Sequence, residues 1–236
     1  MPLLRLPNSF ADASTNMAID AALLKSIPAE VALFRHYAWS EPTITFGYTQ
    51  KWVEVHPQFL SSLVFCRRIT AGGIVDHRND WTYALILGCG LKAVMKKSSE
   101  LYYILHNCIV AELKKQNIQS KLAPCLRQCS DNTVNKIDIC FQQAVANDVI
   151  TKNGQKIAGA AIKRNRLGLL IQGSVDRRTL PKNFDFNTFS NGLVQQLSHA
   201  LDIPVGNGND LRGLFNRTLI EQERVRFKSA MWQERR

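Results

Sequence analysis

Residues 65–77 read FCRRITAGGIVDH: a short apolar run ends in two arginines and is followed by small residues and a second extended run. The pattern predicts two strands joined by a loop. Adjacent glycines let the backbone approach a ligand closely and turn its N–H groups toward an anion, and arginine supplies a planar fork that suits a carboxylate or a phosphate. A plain β-hairpin turn explains the same residues about as well as an anion site does.

A second informative stretch, residues 153–164, reads NGQKIAGAAIKR. Its Asn-Gly pair predicts a type I′ hairpin turn, because both central residues of that turn need positive φ. The strand after the turn is expected to place Lys156, Ala158 and Ala160 on one face. A lysine among small residues leaves room for a substrate and offers it a point charge, whereas a lysine on an open strand is usually a solvated charge.

The remaining sequence predicts an α+β fold. The apolar spacing predicts helices over 12–26, 98–116, 189–201 and 214–232. Short strands are predicted at 2–6, 31–37, 43–47, 64–69, 81–87, 148–152, 155–161 and 167–175. Strands often follow one another directly, which favours a mixed, largely antiparallel sheet flanked by helices over regular βαβ alternation. We expect one domain over residues 1–236.

Composition limits the classes of function. Thirty Lys and Arg against 19 Asp and Glu give a net charge of +11, which indicates an anionic partner. An apolar fraction of 45% is too high for a disordered chain. The longest mostly apolar stretch, residues 83–91, is too short to cross a bilayer, and the first residues lack signal-peptide anatomy. A cytoplasmic protein with reduced thiols, not bound to a membrane, is therefore expected.

Two other classes fit less well. Cys125, Cys129 and Cys140 lack a second closely spaced pair, so no metal site is predicted. A nucleic-acid-binding protein is the main alternative to an enzyme, since residues 155–182 hold seven Lys and Arg against one acidic residue. This stretch carries no interleaved stacking aromatics and no recognition-helix signature, which disfavours nucleic acid as the partner.

Together, the two stretches resemble the biotin/lipoate A/B protein ligases and octanoyltransferases. Residues 67–77 match the family loop Arg-Arg-x-Thr/Ser-Gly-Gly-Gly-x-Val-x-His at all but one position. Residues 154–164 match its second motif, Gly-x-Lys-Ile/Val-x-Gly-x-Ala-x-x-Arg, in full. Weaker matches extend the resemblance nearly from end to end. It implies a fold similar to biotin protein ligases and class II synthetases, without the accessory C-terminal domain that many lipoate ligases carry.

The resemblance implies an enzyme that joins a lipoyl or octanoyl chain to a lysine of a lipoyl carrier domain, such as those of 2-oxoacid dehydrogenase complexes or the glycine cleavage H protein. The first expectation is a lipoate–protein ligase that uses ATP and Mg²⁺ to activate lipoate or octanoate as an acyl-adenylate. Lys156 is expected to stabilise the charge that develops during transfer. The residues expected to bind substrate or adenylate are Arg67, Arg68, Thr70, Ala71, Gly72, Gly73, Ile74, Val75, His77, Gly159, Ala161 and Gln172.

Cys140 indicates an alternative mechanism. With Phe141 it resembles the Cys-Phe pair of octanoyltransferases, which accept the acyl group from acyl-carrier protein as a cysteine thioester. A thiolate near a lysine is a competent nucleophile, although a buried free cysteine would explain the residue too. Two positions depart from the family pattern: Ala71 replaces a glycine, and Gln172 stands where relatives often have histidine. Gln172 can hydrogen-bond a substrate but cannot act as a base, so an inactive homologue is a lesser alternative.

Overall fold

The computed structural model describes residues 2–60, 62–125, 144–207 and 213–235. Their strands are β1 (Leu3–Arg5), β2 (Ser9–Ala11), β3 (Ala32–Trp39), β4 (Thr43–Phe46), β5 (Val64–Arg67), β6 (Ile74–Asp76), β7 (Asp80–Gly88), β8 (Ser120–Leu122), β9 (Val149–Thr151), β10 (Lys156–Asn165) and β11 (Gly168–Asp176). Their helices are α1 (Ala13–Ser26), α2 (Trp52–Val55), α3 (Ser98–Lys115), α4 (Phe186–Leu201), α5 (Arg217–Lys228) and α6 (Ala230–Gln233). No helix in this part of the chain is long and apolar enough to cross a membrane.

The main sheet has the strand order β1-β3-β7-β11-β10-β9-β8, with β2 also paired to β3. Its centre is antiparallel, and the parallel pairs lie at the β1 and β2 end. The predicted α+β class, with a mixed and largely antiparallel sheet flanked by helices, is confirmed.

Alternation along the central strands divides the sheet into two apolar faces. On β7, Tyr83 and Leu85 belong to the core cluster that includes residues of α3 and α4, whereas Ala84 and Ile86 belong to the cluster that includes residues of α1. Helix α1 is capped by the Asp12 carboxylate, which accepts a hydrogen bond from the backbone N–H of Thr15 at 2.6 Å. The second face is where the cavity described below lies.

Strands β5 and β6, which are joined by the loop of residues 68–73, do not pair with each other. β4 lies between them, parallel to β5 and antiparallel to β6, in a separate three-stranded sheet. The interpretation of residues 65–77 as a plain hairpin is therefore wrong. Local sequence could not reveal this, because the intervening strand comes from about twenty residues earlier in the chain.

The second predicted hairpin does form, from β9 and β10. Only Gly154 has a positive φ, of 84°, so the turn is not of type I′. A register shift between Lys156 and Ala158 also interrupts the expected alternation. The Lys156 side chain consequently extends past Gly159, as the close distances at that glycine show.

Candidate active site

A cavity of about 340 Å³ lies between the main sheet and the small sheet. This volume is near the lower end of the usual range for small-molecule sites, roughly 300–1,000 Å³. Its wall includes helix α1, strands from both sheets and the loop that follows β5. The lining residues that the sequence had indicated are Arg68, Gly72, Gly73, Val75, His77, Lys156, Gly159, Ala161 and Gln172.

Lys156 is held in the cavity wall by an ion pair. Its Nζ lies 2.7 Å from Oδ2 of Asp148, and the two side chains are only 6% and 4% exposed. Two buried charges are tolerated when they pair closely and make further hydrogen bonds. The Asp148 carboxylate meets this condition, since it also accepts a hydrogen bond from the backbone N–H of Val145 at 2.8 Å.

Gly159 makes room for this ion pair. A Cβ at that position would lie 2.6 Å from Lys156 Cε, 2.8 Å from Lys156 Nζ and 3.0 Å from Asp148 Oδ1. The glycine is therefore needed for the close approach of the lysine and the carboxylate to the strand, and it belongs to the same site as Lys156.

Arg68 organises the loop from inside. Its guanidinium donates to Thr45 Oγ1 at 2.7 Å, to the Gly73 carbonyl at 2.9 Å and to the Ala71 carbonyl at 3.1 Å. Gly72 adopts a φ of 93°, a conformation that residues with a side chain rarely adopt. Ala71 avoids positive φ, so its departure from the family pattern carries no backbone strain.

Arg67 does not line the cavity. It is fully buried and donates to backbone carbonyls of two chain segments, those of Tyr48, Gln50, Trp232, Gln233 and Arg235. Because Gln50 lines the cavity, Arg67 ties one cavity segment to the C-terminal helix α6 and the residues after it.

Gln172 belongs to a buried polar network beneath the cavity. Its Oε1 accepts from Thr70 Oγ1 at 2.8 Å, and its Nε2 donates to Asp20 Oδ2 at 2.8 Å. Asp20 also accepts from Arg35 at 2.5 Å and from the Tyr37 hydroxyl at 3.0 Å. Burial raises the pKa of Tyr37, so its hydroxyl remains a hydrogen-bond donor at neutral pH.

His77 faces the cavity with both ring nitrogens engaged. Nε2 lies 2.7 Å from Thr45 Oγ1, and Nδ1 lies 2.7 Å from Asp80 Oδ2. Its ring stacks on Trp39, with 4.1 Å between the ring centroids. These contacts hold the imidazole in one orientation beside the loop.

The other predicted residues occupy different places. Thr70 donates a hydrogen bond to Gln172, and the Ala71 carbonyl accepts one from Arg68. Ile74 packs in the apolar core of the small sheet. Cys140 lies outside the described residues. Among the described residues, no group of three or more His, Cys, Asp or Glu is placed to hold a metal ion.

Sequence reasoning missed Asp148, Thr45 and Trp39 as cavity residues. Asp148 had a usable signal, because it stands eight positions before Lys156 at the start of the opposite hairpin strand. Thr45 and Trp39 lie on strands far from both motifs in the sequence, so only the three-dimensional arrangement brings them to the cavity.

Comparison with known proteins gives one family. A family model described as lipoyl protein ligase A/B catalytic domain matches residues 12–200. The octanoyltransferase LipM of Oceanobacillus iheyensis is 30% identical over 178 residues, which are 72% of this chain and 62% of that protein. The octanoyltransferase LipM of Geobacillus kaustophilus is 27% identical over 180 residues, 72% of this chain and 63% of that protein. The matched region thus spans less than two thirds of either relative.

A solved structure extends the likeness of fold. The bi-partite lipoate protein ligase from Thermoplasma acidophilum, described together with its E2 lipoyl domain, superposes with a TM-score of 0.65 at 14% identity. The superposition covers 99% of this chain and 96% of that one. At this identity the comparison supports the fold alone.

Proposed function

The chain belongs to the lipoyl protein ligase A/B catalytic-domain family, and on that premise we propose that it transfers an octanoyl or lipoyl chain from a thioester donor to a lysine of a lipoyl carrier domain. The observation that carries the proposal is the position of Lys156: its buried ammonium lies in the wall of a cavity that is also lined by apolar side chains and glycine backbone. An acyl chain needs the apolar wall, and its reactive carbonyl needs the charge.

The apolar wall and the charge of Lys156 together suggest how the transfer proceeds. The amine of the carrier lysine attacks the acyl carbonyl, a C–N bond forms, and the C–S bond breaks with its electron pair moving to sulfur. The proton lost by the amine neutralises the departing thiolate. Lys156 donates a hydrogen bond to the carbonyl oxygen as negative charge develops there, and Asp148 fixes the direction of that donor.

Cys140 adds an intermediate in the covalent version of this proposal. Its thiol loses a proton and attacks the donor thioester: a C–S bond to Cys140 forms, the donor's C–S bond breaks, and the departing sulfur takes up the proton. The carrier lysine then takes the acyl group by forming the C–N bond as the C–S bond to Cys140 breaks. Support comes from the relatives named octanoyltransferase and from the Cys-Phe pair in this sequence.

The charges around the cavity favour a neutral thioester over a nucleotide-activated donor. Arg67 and Arg68 direct their guanidinium groups at backbone carbonyls and threonine hydroxyls, and Lys156 is paired with Asp148. A triphosphate would have to draw these cations out of existing buried interactions. The ATP-dependent ligase, which is the first expectation from sequence, is therefore our second candidate.

The partners proposed are two carriers. A net charge of +11 suits acidic domains, and the T. acidophilum ligase structure is described with an E2 lipoyl domain. We therefore assign lipoyl domains of 2-oxoacid dehydrogenase complexes or the glycine cleavage H protein as acceptors and acyl-carrier protein as the donor.

Intact mass spectrometry of a lipoyl domain tests the proposal. Octanoyl-acyl-carrier protein without nucleotide is expected to add one octanoyl group to the domain. Modification only in the presence of lipoate, ATP and Mg²⁺ would identify the ligase instead, and no modification with either donor would refute both.

Variants then assign the residues. Lys156→Ala is expected to reduce transfer to a small residual rate, whereas Lys163→Ala, on the same strand but outside the cavity lining, should retain the wild-type rate. Cys140→Ala should prevent both transfer and the trapping of an acyl-enzyme, with the exposed Cys89 changed to alanine as the control. Full activity of Cys140→Ala would exclude the covalent intermediate.

A further inference from the structure

Asp148 is held by a tight turn that its own carboxylate closes. The backbone N–H of Asp148 donates to the Val145 carbonyl at 3.0 Å, and the N–H of Val145 donates back to Asp148 Oδ2 at 2.8 Å. Oδ2 is also the oxygen that meets Lys156. Any movement of residues 145–148 therefore moves the partner of the lysine.

Two contacts fasten this turn to the rest of the fold. Ala123 pairs with it through the backbone, accepting from the N–H of Asn147 at 3.0 Å and donating to the Asp148 carbonyl at 2.7 Å. The other contact is the His106 imidazole, whose Nδ1 lies 2.5 Å from the Asn147 carbonyl oxygen. Asn147 has a φ of 70°, a left-handed conformation that asparagine tolerates better than most residues.

The hydrogen bond fixes the state of the histidine. A carbonyl oxygen only accepts, so Nδ1 of His106 carries the proton. Burial lowers the pKa of His106, so the ring is neutral at pH 7 and Nε2 is unprotonated. Nε2 is buried and has no hydrogen-bond partner among the described residues, which leaves the bond to Asn147 as the polar contact that orients the ring.

We propose that His106 is a positioning residue for acyl transfer: it fixes the Asn147 carbonyl and thereby holds Asp148 against Lys156. His106 is 1% exposed and lies in the middle of α3, an 18-residue helix packed in the larger core cluster, so it connects the turn to a rigid element. This inference rests on the proposed function, because it assigns Lys156 a role in catalysis.

Kinetics of the full chain with the lipoyl domain separate positioning from binding. His106→Leu is expected to lower kcat about 10- to 100-fold, the scale of an ångström-sized misplacement, with little change in KM for the acyl donor. His106→Asn keeps an N–H near the position of Nδ1 and should recover most of the loss. His199→Leu, the same change at an exposed position of α4, is the matched control.

A double-variant test shows whether the effect passes through Lys156. In a Lys156→Ala background, His106→Leu should cause no further fall in the residual rate, because the group it positions is gone. Asn147→Val, which disfavours the left-handed backbone, should lower kcat in the same way as His106→Leu. Equal losses with and without Lys156, or full kcat in His106→Leu, would overturn the inference.

The chemical reactivity of Lys156 tests the positioning role of His106 independently of acyl transfer. Labelling by an acetylating reagent, followed at the Lys156 peptide by mass spectrometry, should be slow in the wild type and several-fold faster in His106→Leu, with labelling of Lys163 unchanged. If the wild type transfers no acyl group, the proposed function fails while this test still reports on positioning. If transfer is normal but labelling is identical in the two proteins, the positioning role alone fails.

Discussion

Gly159→Ala is the most direct test of the geometry around Lys156. The new Cβ would stand 2.6 Å from Lys156 Cε and 2.8 Å from Nζ, well inside the usual carbon–carbon separation of about 3.5–4.0 Å. The backbone at this position does not have a positive φ, so alanine fits the strand itself. The clash falls on the flexible end of a lysine, which must move by roughly an ångström to reach normal contact.

The expected cost in stability is small. Replacing glycine by alanine at a compatible backbone position stabilises by about 0.5–1 kcal/mol. Removing one partner of a buried ion pair costs about 3–5 kcal/mol, and a displaced pair loses only part of that. We therefore expect the free energy of unfolding to fall by about 0–2 kcal/mol, while the transfer rate falls about 100-fold because the donor is misplaced.

Urea unfolding and octanoyl transfer to a lipoyl domain measure the two effects on the same variant. Gly90→Ala is the matched control, since its Cβ would meet the flexible carboxylate of Glu30 at 2.2 Å, at a glycine outside the cavity lining. It should retain the wild-type rate. A Gly159→Ala enzyme as active as the wild type would refute the argument that Lys156 works from the position described.

Three further predictions concern stability. Acidification from pH 7 to pH 5 should destabilise the fold, because burial lowers the pKa of His106 and that of His36, and the unfolded chain then binds protons that the folded chain does not. His106→Asn should reduce this pH dependence in urea unfolding. Arg67→Met should lower the free energy of unfolding by about 3–5 kcal/mol in the same assay, since several backbone carbonyls lose the buried guanidinium that donates to them. A loss below about 1 kcal/mol would contradict this. Tyr83→Phe removes a buried hydroxyl with no hydrogen-bond partner among the described residues, so calorimetry should show unchanged or slightly raised stability, whereas a clear loss would reveal a bonded hydroxyl.

Local sequence predicted those features that are local in the structure. The β9–β10 hairpin forms where Asn153-Gly154 indicated it, and α3 and α4 follow their apolar spacing. The insertion of β4 between β5 and β6 was not predictable in this way, because no local signal distinguishes a hairpin from two strands that share a third. Register was equally hidden: the shift between Lys156 and Ala158 is visible only in the pairing of β10 with β9.

Arg67 and Arg68 show that a motif can be located correctly from sequence while the groups that its side chains bind are not. A guanidinium can donate to a phosphate or to a set of backbone carbonyls, since both present oxygen acceptors to its five N–H groups. Arg67 and Arg68 take the second role among the described residues: one anchors the C-terminal segment, and the other shapes the glycine loop. Residue type alone could not decide between the two uses.

The positions of the described Lys and Arg residues also indicate which kind of anionic partner the positive charge attracts. Of the described Lys and Arg residues, only Arg68 and Lys156 line the cavity, and each is engaged with groups of the protein. The other described Lys and Arg residues lie outside the cavity lining, where solvent-facing charge attracts a partner over distances of about a Debye length, roughly 8–10 Å. A small anionic substrate would call for charge inside the cavity, whereas an acidic carrier domain calls for it on the outer surface. The distribution of charge thus supports the proposal that the acyl chain arrives and leaves on protein carriers.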